Sequence, residues 1–109
     1  MNRETRIGMN EAVFRAVNER IQEVANAFQL TSDPLDLICE CGDAGCTERI
    51  SISRDEYERL RSDAQLFAVA PGHEAPGVEE VVEKRSGYDV VRKLKGAPEK
   101  IARETDPRS

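Results

Sequence analysis

The chain has 109 residues, a formal net charge of −5 at pH 7, and charged side chains at 34% of its positions. This length predicts a single domain with a modest core. The chain contains no apolar run long enough to cross a bilayer and no visible export signal. We therefore expect a soluble protein of the cytoplasm, where cysteines stay reduced, and no membrane partner.

The charge is unevenly distributed along the chain. Residues 1–83 hold 8 basic and 17 acidic side chains, a charge of −9, whereas residues 84–109 hold 8 basic and 4 acidic ones, a charge of +4. Such an asymmetry can mark an anionic partner for the basic part. The interpretation that we favour is that the basic segment faces an acidic neighbour within the fold.

The first predicted element is an amphipathic helix over residues 10–28, preceded by a flexible N-terminus over residues 1–9. Its large apolar residues recur at spacings of three and four, which places them on one stripe. We interpret this stripe as the face that packs on the core, with a docking surface for a partner helix as the alternative. The stripe consists of Phe14, Val17, Ile21, Val24 and Phe28.

A β-hairpin is predicted next, with strands over residues 35–41 and 48–53. The pattern Ser53-x-x-Glu56 is a capping box, which predicts a short helix directly after the hairpin. Residues 66–70 form a short apolar run that predicts a third strand. The order of these elements favours short strands that pair locally.

A second hairpin is predicted from strands over residues 80–84 and 88–94. They are joined by the turn Arg85-Ser86-Gly87, in which a glycine occupies the end that needs a positive φ. The valines at positions 78, 81 and 82 also fit the spacing of a helix, which is the alternative for that segment. One or two helical turns around Ile101 follow.

These elements predict an α+β architecture. We expect one domain over residues 10–104, in which the N-terminal amphipathic helix and one or two short helices pack on a small antiparallel sheet. Residues 105–109 are expected to form a flexible tail.

All three cysteines lie in the segment Cys39-Glu40-Cys41-Gly42-Asp43-Ala44-Gly45-Cys46. Alternate residues of a strand point to the same side, so Cys39 and Cys41 can approach one ion. Gly42 and Gly45 are expected to let the backbone turn sharply and return Cys46 to the same point. Three thiolates are ligands that zinc prefers, and a structural zinc ion needs one ligand more.

The only histidine, His73, follows the third predicted strand. Because three cysteines and one histidine are a common ligand set for structural zinc, we predict a Zn²⁺ site formed by Cys39, Cys41, Cys46 and His73. Glu40, Asp43 or a water are the alternatives for the fourth ligand. The odd number of cysteines argues against disulfides, and a redox thiol pair is the main alternative to a metal.

The segment Cys39-Glu40-Cys41-Gly42, followed by Cys46, by Ala70-Pro71-Gly72-His73-Glu74 and by Gly87-Tyr88, resembles a group of small uncharacterised bacterial proteins. The similarity extends over most of residues 9–107. The resemblance implies that the three cysteines and the histidine form one site. It implies no activity.

No catalytic motif accompanies the predicted zinc site. A chain with one histidine cannot carry H-E-x-x-H, and the order of the ligands differs from that of the zinc deaminases. The sequence therefore favours a non-enzymatic protein-interaction or regulatory module, with another protein as its partner, over an enzyme. A redox or zinc-release thiol switch is one alternative.

The other alternative is nucleic-acid binding through the basic hairpin over residues 84–95. Nucleic-acid-binding domains favour a pI above about 9, whereas this chain is acidic overall, so we expect no nucleic-acid partner. The basic residues of the hairpin are Lys84, Arg85, Arg92, Lys93 and Lys95.

Overall fold

The structure is a computed structural model, which describes residues 2–27 and 33–108. Strands β1 and β2 form an antiparallel hairpin, and a second antiparallel sheet has the order β3-β5-β4. The α+β class is therefore confirmed, with two small sheets in the place of one. In chain order the elements are α1 (Arg3–Ala27), β1 (Leu35–Ile38), β2 (Arg49–Ile52), α2 (Arg54–Arg61), β3 (Leu66–Val69), β4 (Glu79–Arg85), β5 (Tyr88–Lys93) and α3 (Ala97–Glu104).

Both ends of the chain contain more structure than their polar sequences indicate. Helix α1 begins at Arg3, so residues 3–9 form its first turns, and the predicted end of the helix at Phe28 lies outside the described residues. Near the other end, the Arg108 guanidinium donates hydrogen bonds to Glu19 and Glu58. The flexibility predicted for residues 1–9 and 105–109 stays a prediction. No helix in the described ranges is both long and apolar enough to cross a membrane.

The strands follow the alternation of the sequence. Leu35 lies opposite Ile52 and Leu37 opposite Ile50, and all four side chains are buried. The helical alternative for the segment around Val81 is wrong, because β4 pairs with β5 there. The predicted capping box is confirmed in part, since the Ser53 side chain accepts a hydrogen bond from the Glu56 N–H and so caps the start of α2.

The prediction for the inner face of α1 is wrong for its valines and is confirmed in part at Ile21, which packs against the core. Of the predicted stripe, Val17 and Val24 are 41% and 43% exposed, Phe14 and Ile21 are half-buried, and Phe28 is not described. The helix instead buries a face made of polar and small residues. The buried residues are Gly8, Glu11, Ala12, Arg15, Asn18, Glu19, Gln22 and Ala25.

Hydrogen bonds explain why α1 buries its polar face. Arg15 donates to the carbonyl oxygens of Ala64 and Ala102, at 2.7 and 2.8 Å, and its guanidinium lies over the Phe67 ring. The Asn18 side chain donates a hydrogen bond to the Ile38 carbonyl and accepts one from the Ile38 N–H, as the backbone of a neighbouring strand would. A surface that presents unpaired backbone groups requires polar partners, because a buried polar group without a hydrogen bond is costly.

A buried ion cluster joins α1 to the larger sheet. The Lys93 ammonium pairs with Glu11 of α1 and, at 2.7 Å, with Glu79 on the adjacent strand. Burial lowers the pKa of Lys93 to about 7 and raises the pKa of Glu79 to about 7. The mutual attraction of the charges opposes both shifts, so each charge in the cluster depends on its partner.

We predict that Lys93→Met destabilises the fold, because it leaves Glu11 and Glu79 buried without a cation. The expected loss in urea-induced unfolding is about 3–5 kcal/mol at neutral pH. Lys95→Met removes an exposed charge and should change stability by less than about 0.5 kcal/mol.

The free energy of unfolding of Lys93→Met should lie below that of Lys95→Met, and this difference should shrink as the pH falls. A carboxyl group whose pKa is raised on folding takes up its proton in the folded state first, so the penalty fades as the pH falls from about 7 toward about 4.5. A deficit that is small, or that does not change between these pH values, would contradict the proposed role of the cluster.

Candidate metal centre

The structure brings all four predicted ligand residues together. The ligand-type atoms of Cys39, Cys41, Cys46 and His73 all lie within 4.8 Å of one another. The Nδ1 atom of His73 is 3.6 Å from the Cys39 sulfur and 3.7 Å from the Cys46 sulfur. Such a group of three sulfurs and one nitrogen can hold a metal ion.

Two of these separations match the sulfur–nitrogen edge of a zinc tetrahedron. Bonds of about 2.3 Å from zinc to sulfur and about 2.0–2.1 Å from zinc to nitrogen place the two ligand atoms about 3.6 Å apart in tetrahedral geometry. The distances from the His73 Nδ1 atom to the Cys39 and Cys46 sulfurs agree with this value.

Glu40 points away from the cluster, although it stands between two of the cysteines. Strand β1 ends at Ile38, short of the predicted residue 41, but Cys39 continues the ladder by donating its N–H to Glu48. The Glu40 carboxylate is buried on the other side, where it accepts hydrogen bonds from Asn18, Tyr57 and the Ala68 N–H. These three donors occupy Glu40, which leaves it no role as a fourth ligand.

The loop that returns Cys46 is held by Asp43 instead of by glycine conformations. The Cys46 N–H donates to the Asp43 carbonyl at 3.0 Å, and the Asp43 side chain accepts the N–H of Gly45 at 2.9 Å. The backbone bends at Gly42 and turns at Gly45 as expected, but neither glycine has a positive φ, so this turn does not need the left-handed conformation that favours glycine. Asp43 is exposed and is engaged in shaping the loop.

Gly42 is required for close packing. A Cβ atom at this position would lie 2.4 Å from the Cγ2 atom of Ile7 on α1. The Asn10 side chain also donates to the Gly42 carbonyl at 2.9 Å. The first turns of α1 therefore pack directly on the cysteine loop.

His73 is placed by a tight turn after β3. The His73 N–H donates to the Ala70 carbonyl at 3.0 Å across Pro71 and Gly72, and Gly72 has a φ of 83°. Proline followed by glycine in this arrangement is typical of a type II turn. Buried Asp89 accepts the Gly72 N–H at 3.2 Å, which is a contribution that the local sequence does not reveal.

The thiols of Cys39 and Cys41 hold their protons more tightly than free thiols do. Burial raises the pKa of the Cys39 thiol, which the Ala70 N–H opposes with a hydrogen bond of 3.1 Å to the sulfur. Burial likewise raises the pKa of Cys41. Adjacent thiols in such an environment ionise most readily when a divalent cation compensates their charge.

Comparison of the chain with known protein families, with characterised proteins and with solved structures finds no match. The resemblance to small bacterial proteins therefore stays a prediction. The assignment of a metal centre depends on the geometry of the four side chains alone.

We predict that Gly42→Ala weakens the contact between α1 and the cysteine loop. The added methyl group collides with Ile7 near its Cβ, so the helix must shift, at an expected cost of about 1–3 kcal/mol in thermal or urea unfolding. Ile7→Ala should recover part of this loss in the double variant.

Gly45→Ala is the matched control for this prediction. Its new Cβ would lie 3.5 Å from the nearest atom, the Asp43 side-chain oxygen, which is an ordinary contact. Equal effects of the two alanine substitutions would show that the packing of Ile7 on Gly42 does not matter.

Proposed function

We propose that the chain is a small zinc-binding domain in which Cys39, Cys41, Cys46 and His73 hold one structural Zn²⁺ ion. The observation that carries this proposal is the convergence of the four ligand atoms, which lie within 4.8 Å of one another. Three thiolates and one imidazole suit zinc better than magnesium or calcium, which prefer oxygen ligands. A full set of four protein ligands leaves no open coordination position, which favours a structural role over catalysis.

The positions of the ligands in the fold support a structural role. Cys39 and Cys41 follow the strand of the smaller hairpin, whereas His73 follows β3 of the larger sheet. An ion bound by these residues would cross-link the two sheets. A domain of 109 residues has a modest core, and a metal cross-link is a common way to stabilise such a fold.

We further propose that the domain acts through contacts with another protein and not through catalysis. Glu40, the carboxylate nearest to the cysteines in sequence, is committed to internal hydrogen bonds. A cleft of ≈410 Å³ lies beside Cys41 and His73, lined also by Asp43 and Glu74, but four protein ligands would leave the metal itself no site for a substrate. The cytoplasm, as a reducing compartment, would preserve the thiolates.

The basic hairpin offers little free charge for nucleic acid. Arg85 pairs with Glu83, Arg92 pairs with Asp63, and Lys93 is buried among carboxylates. These contacts support the interpretation that the basic segment serves acidic neighbours within the fold.

A zinc-release thiol switch is the second candidate. One observation favours it: Cys46 is half-buried, whereas Cys39 and Cys41 are buried. An oxidant would then reach Cys46 first. Loss of zinc on mild oxidation, with recovery on reduction, distinguishes a switch from a purely structural site.

We predict about one equivalent of zinc per chain in native mass spectrometry. His73→Ala should lower zinc affinity by more than about a hundredfold, since even the loss of a residue that only orients a ligand costs about 10–100-fold. Glu74→Ala changes the adjacent residue and serves as the control. Equal effects of the two substitutions would remove His73 from the ligand set.

We also predict that removing zinc with a chelator costs tertiary structure around the cluster. Amide protons in residues 39–46 and 66–73 should lose protection from hydrogen exchange, and so should residues 7–10, which pack on the cysteine loop. The Arg49–Ile52 strand is further along the hairpin and should lose less. Unchanged protection in the metal-free protein would contradict a structural role for the ion.

A further inference from the structure

The face of α1 that points away from the protein is apolar. At 100° per residue, the direction opposite to the buried face is occupied mainly by small and aliphatic residues. Val13 is the most exposed of them, at 59%, and Arg20 is the one charged residue near the middle of the strip. The outward strip consists of Met9, Val13, Ala16, Val17, Arg20 and Val24.

Neither folding nor helix formation explains this strip. Valine has a lower helix propensity than alanine, lysine or glutamate, so exposed positions of a stable helix favour other residues. The buried face of α1 is made of other residues, which are polar or small. A contiguous exposed apolar surface is typical of a protein–protein contact.

We propose that this strip is the interface of a homodimer, in which α1 packs antiparallel against α1 of a second copy. A helix of 25 residues is about 37 Å long, close to the longest dimension of the molecule, 40 Å. The strip itself, from Met9 to Val24, extends about 22 Å along this helix. A two-fold axis makes the same strip complementary to itself.

The charges beside the strip favour the antiparallel arrangement. Arg6 is exposed near the start of α1, and Glu23 is exposed near its end. Centring the pair between residues 14 and 15 places Arg6 opposite Glu23 of the second copy, and Val13 opposite Ala16. A parallel pair would instead bring Arg20 against Arg20 of the second copy, which is repulsive.

The helix dipole also favours the antiparallel arrangement of the two helices. The first turns of α1 carry the exposed Arg6 at the positive end of the dipole, and its last turn carries no basic residue. Antiparallel packing places the negative end of the second helix near Arg6. The present partner of Glu23 is Arg20, in an exposed pair of 3.4 Å that contributes little and can exchange.

An anionic membrane fits the strip less well than a second copy does. The strip and its borders carry few basic residues, and the whole chain has a net charge of −5, which opposes attraction to an acidic lipid surface. The protein partner proposed above would then be a second copy of this chain. The dimer does not require the zinc ion, because no ligand residue lies on the strip.

Sedimentation equilibrium of the full zinc-loaded chain tests this proposal. A strip of this size is at the low end of specific interfaces, so we expect a reversible dimer with a Kd of roughly 1–100 µM. Val13→Glu should raise the Kd at least about tenfold by burying a charge at the interface. Val82→Glu introduces the same charge at another exposed valine, 42% exposed on β4, and should leave the Kd unchanged.

A charge exchange tests the register. Arg6→Glu and Glu23→Arg should each weaken the dimer by like-charge repulsion, and the double variant should return the Kd to within about threefold of the wild type. A chain that stays monomeric, a dimer insensitive to Val13→Glu, or a double variant weaker than both single ones would each overturn the proposal.

Two measurements distinguish the dimer from a membrane-binding surface and from the proposed zinc site. Binding of the monomer to phosphatidylcholine–phosphatidylglycerol vesicles, lost in Val13→Glu, would assign the strip to a membrane and overturn the dimer. Zinc content is measured in every variant. A monomer with one equivalent of zinc would refute the dimer and leave the metal proposal intact, whereas a dimer without zinc would do the reverse.

Discussion

The buried carboxylate of Glu40 is the contact on which the rest of the structure depends. It accepts hydrogen bonds from Asn18 on α1, from Tyr57 on α2 and from the backbone of β3, so two helices and the larger sheet meet at one side chain. Burial raises its pKa, and these three donors oppose the rise. Because neighbouring residues of an extended chain point to opposite sides, holding Glu40 inward directs Cys39 and Cys41 toward His73.

The same constraint explains why α1 turns its polar face toward the core and leaves the valines of its apolar stripe exposed. The helix must supply donors to Glu40 and to the carbonyl groups near it, and it must supply an anion to Lys93. A helix that satisfies those groups has its polar face inward. Its valines then remain on the outside, where they form the strip proposed as an interface. The inward hydrogen bonds of α1 and the proposed association through its outer face would thus have one common cause.

The candidate metal centre lies at the junction of the two sheets and the first turns of α1. Ile7 packs on Gly42, and Asn10 donates to its carbonyl. An ion at Cys39, Cys41, Cys46 and His73 would therefore stabilise contacts among three parts of the fold at once. Such an ion would do more than close the cysteine loop, as expected in a domain whose apolar core is small.

Local chemistry in the sequence by itself determined the α+β class, the strand faces, the cap at Ser53 and the four residues that converge. Alternation along the chain orients the strands, and the ligand preference of zinc selects the three cysteines and the histidine. Only the tertiary structure decided which face of α1 is buried, because that depends on groups 20 to 90 residues away, such as the Ile38 and Ala102 carbonyls. The roles of Asp89 and Ile7 were likewise hidden, since each acts on a residue that is distant in sequence. Hydrophobic periodicity finds an apolar stripe, but the hydrogen-bonding needs of the opposing surface decide where that stripe faces.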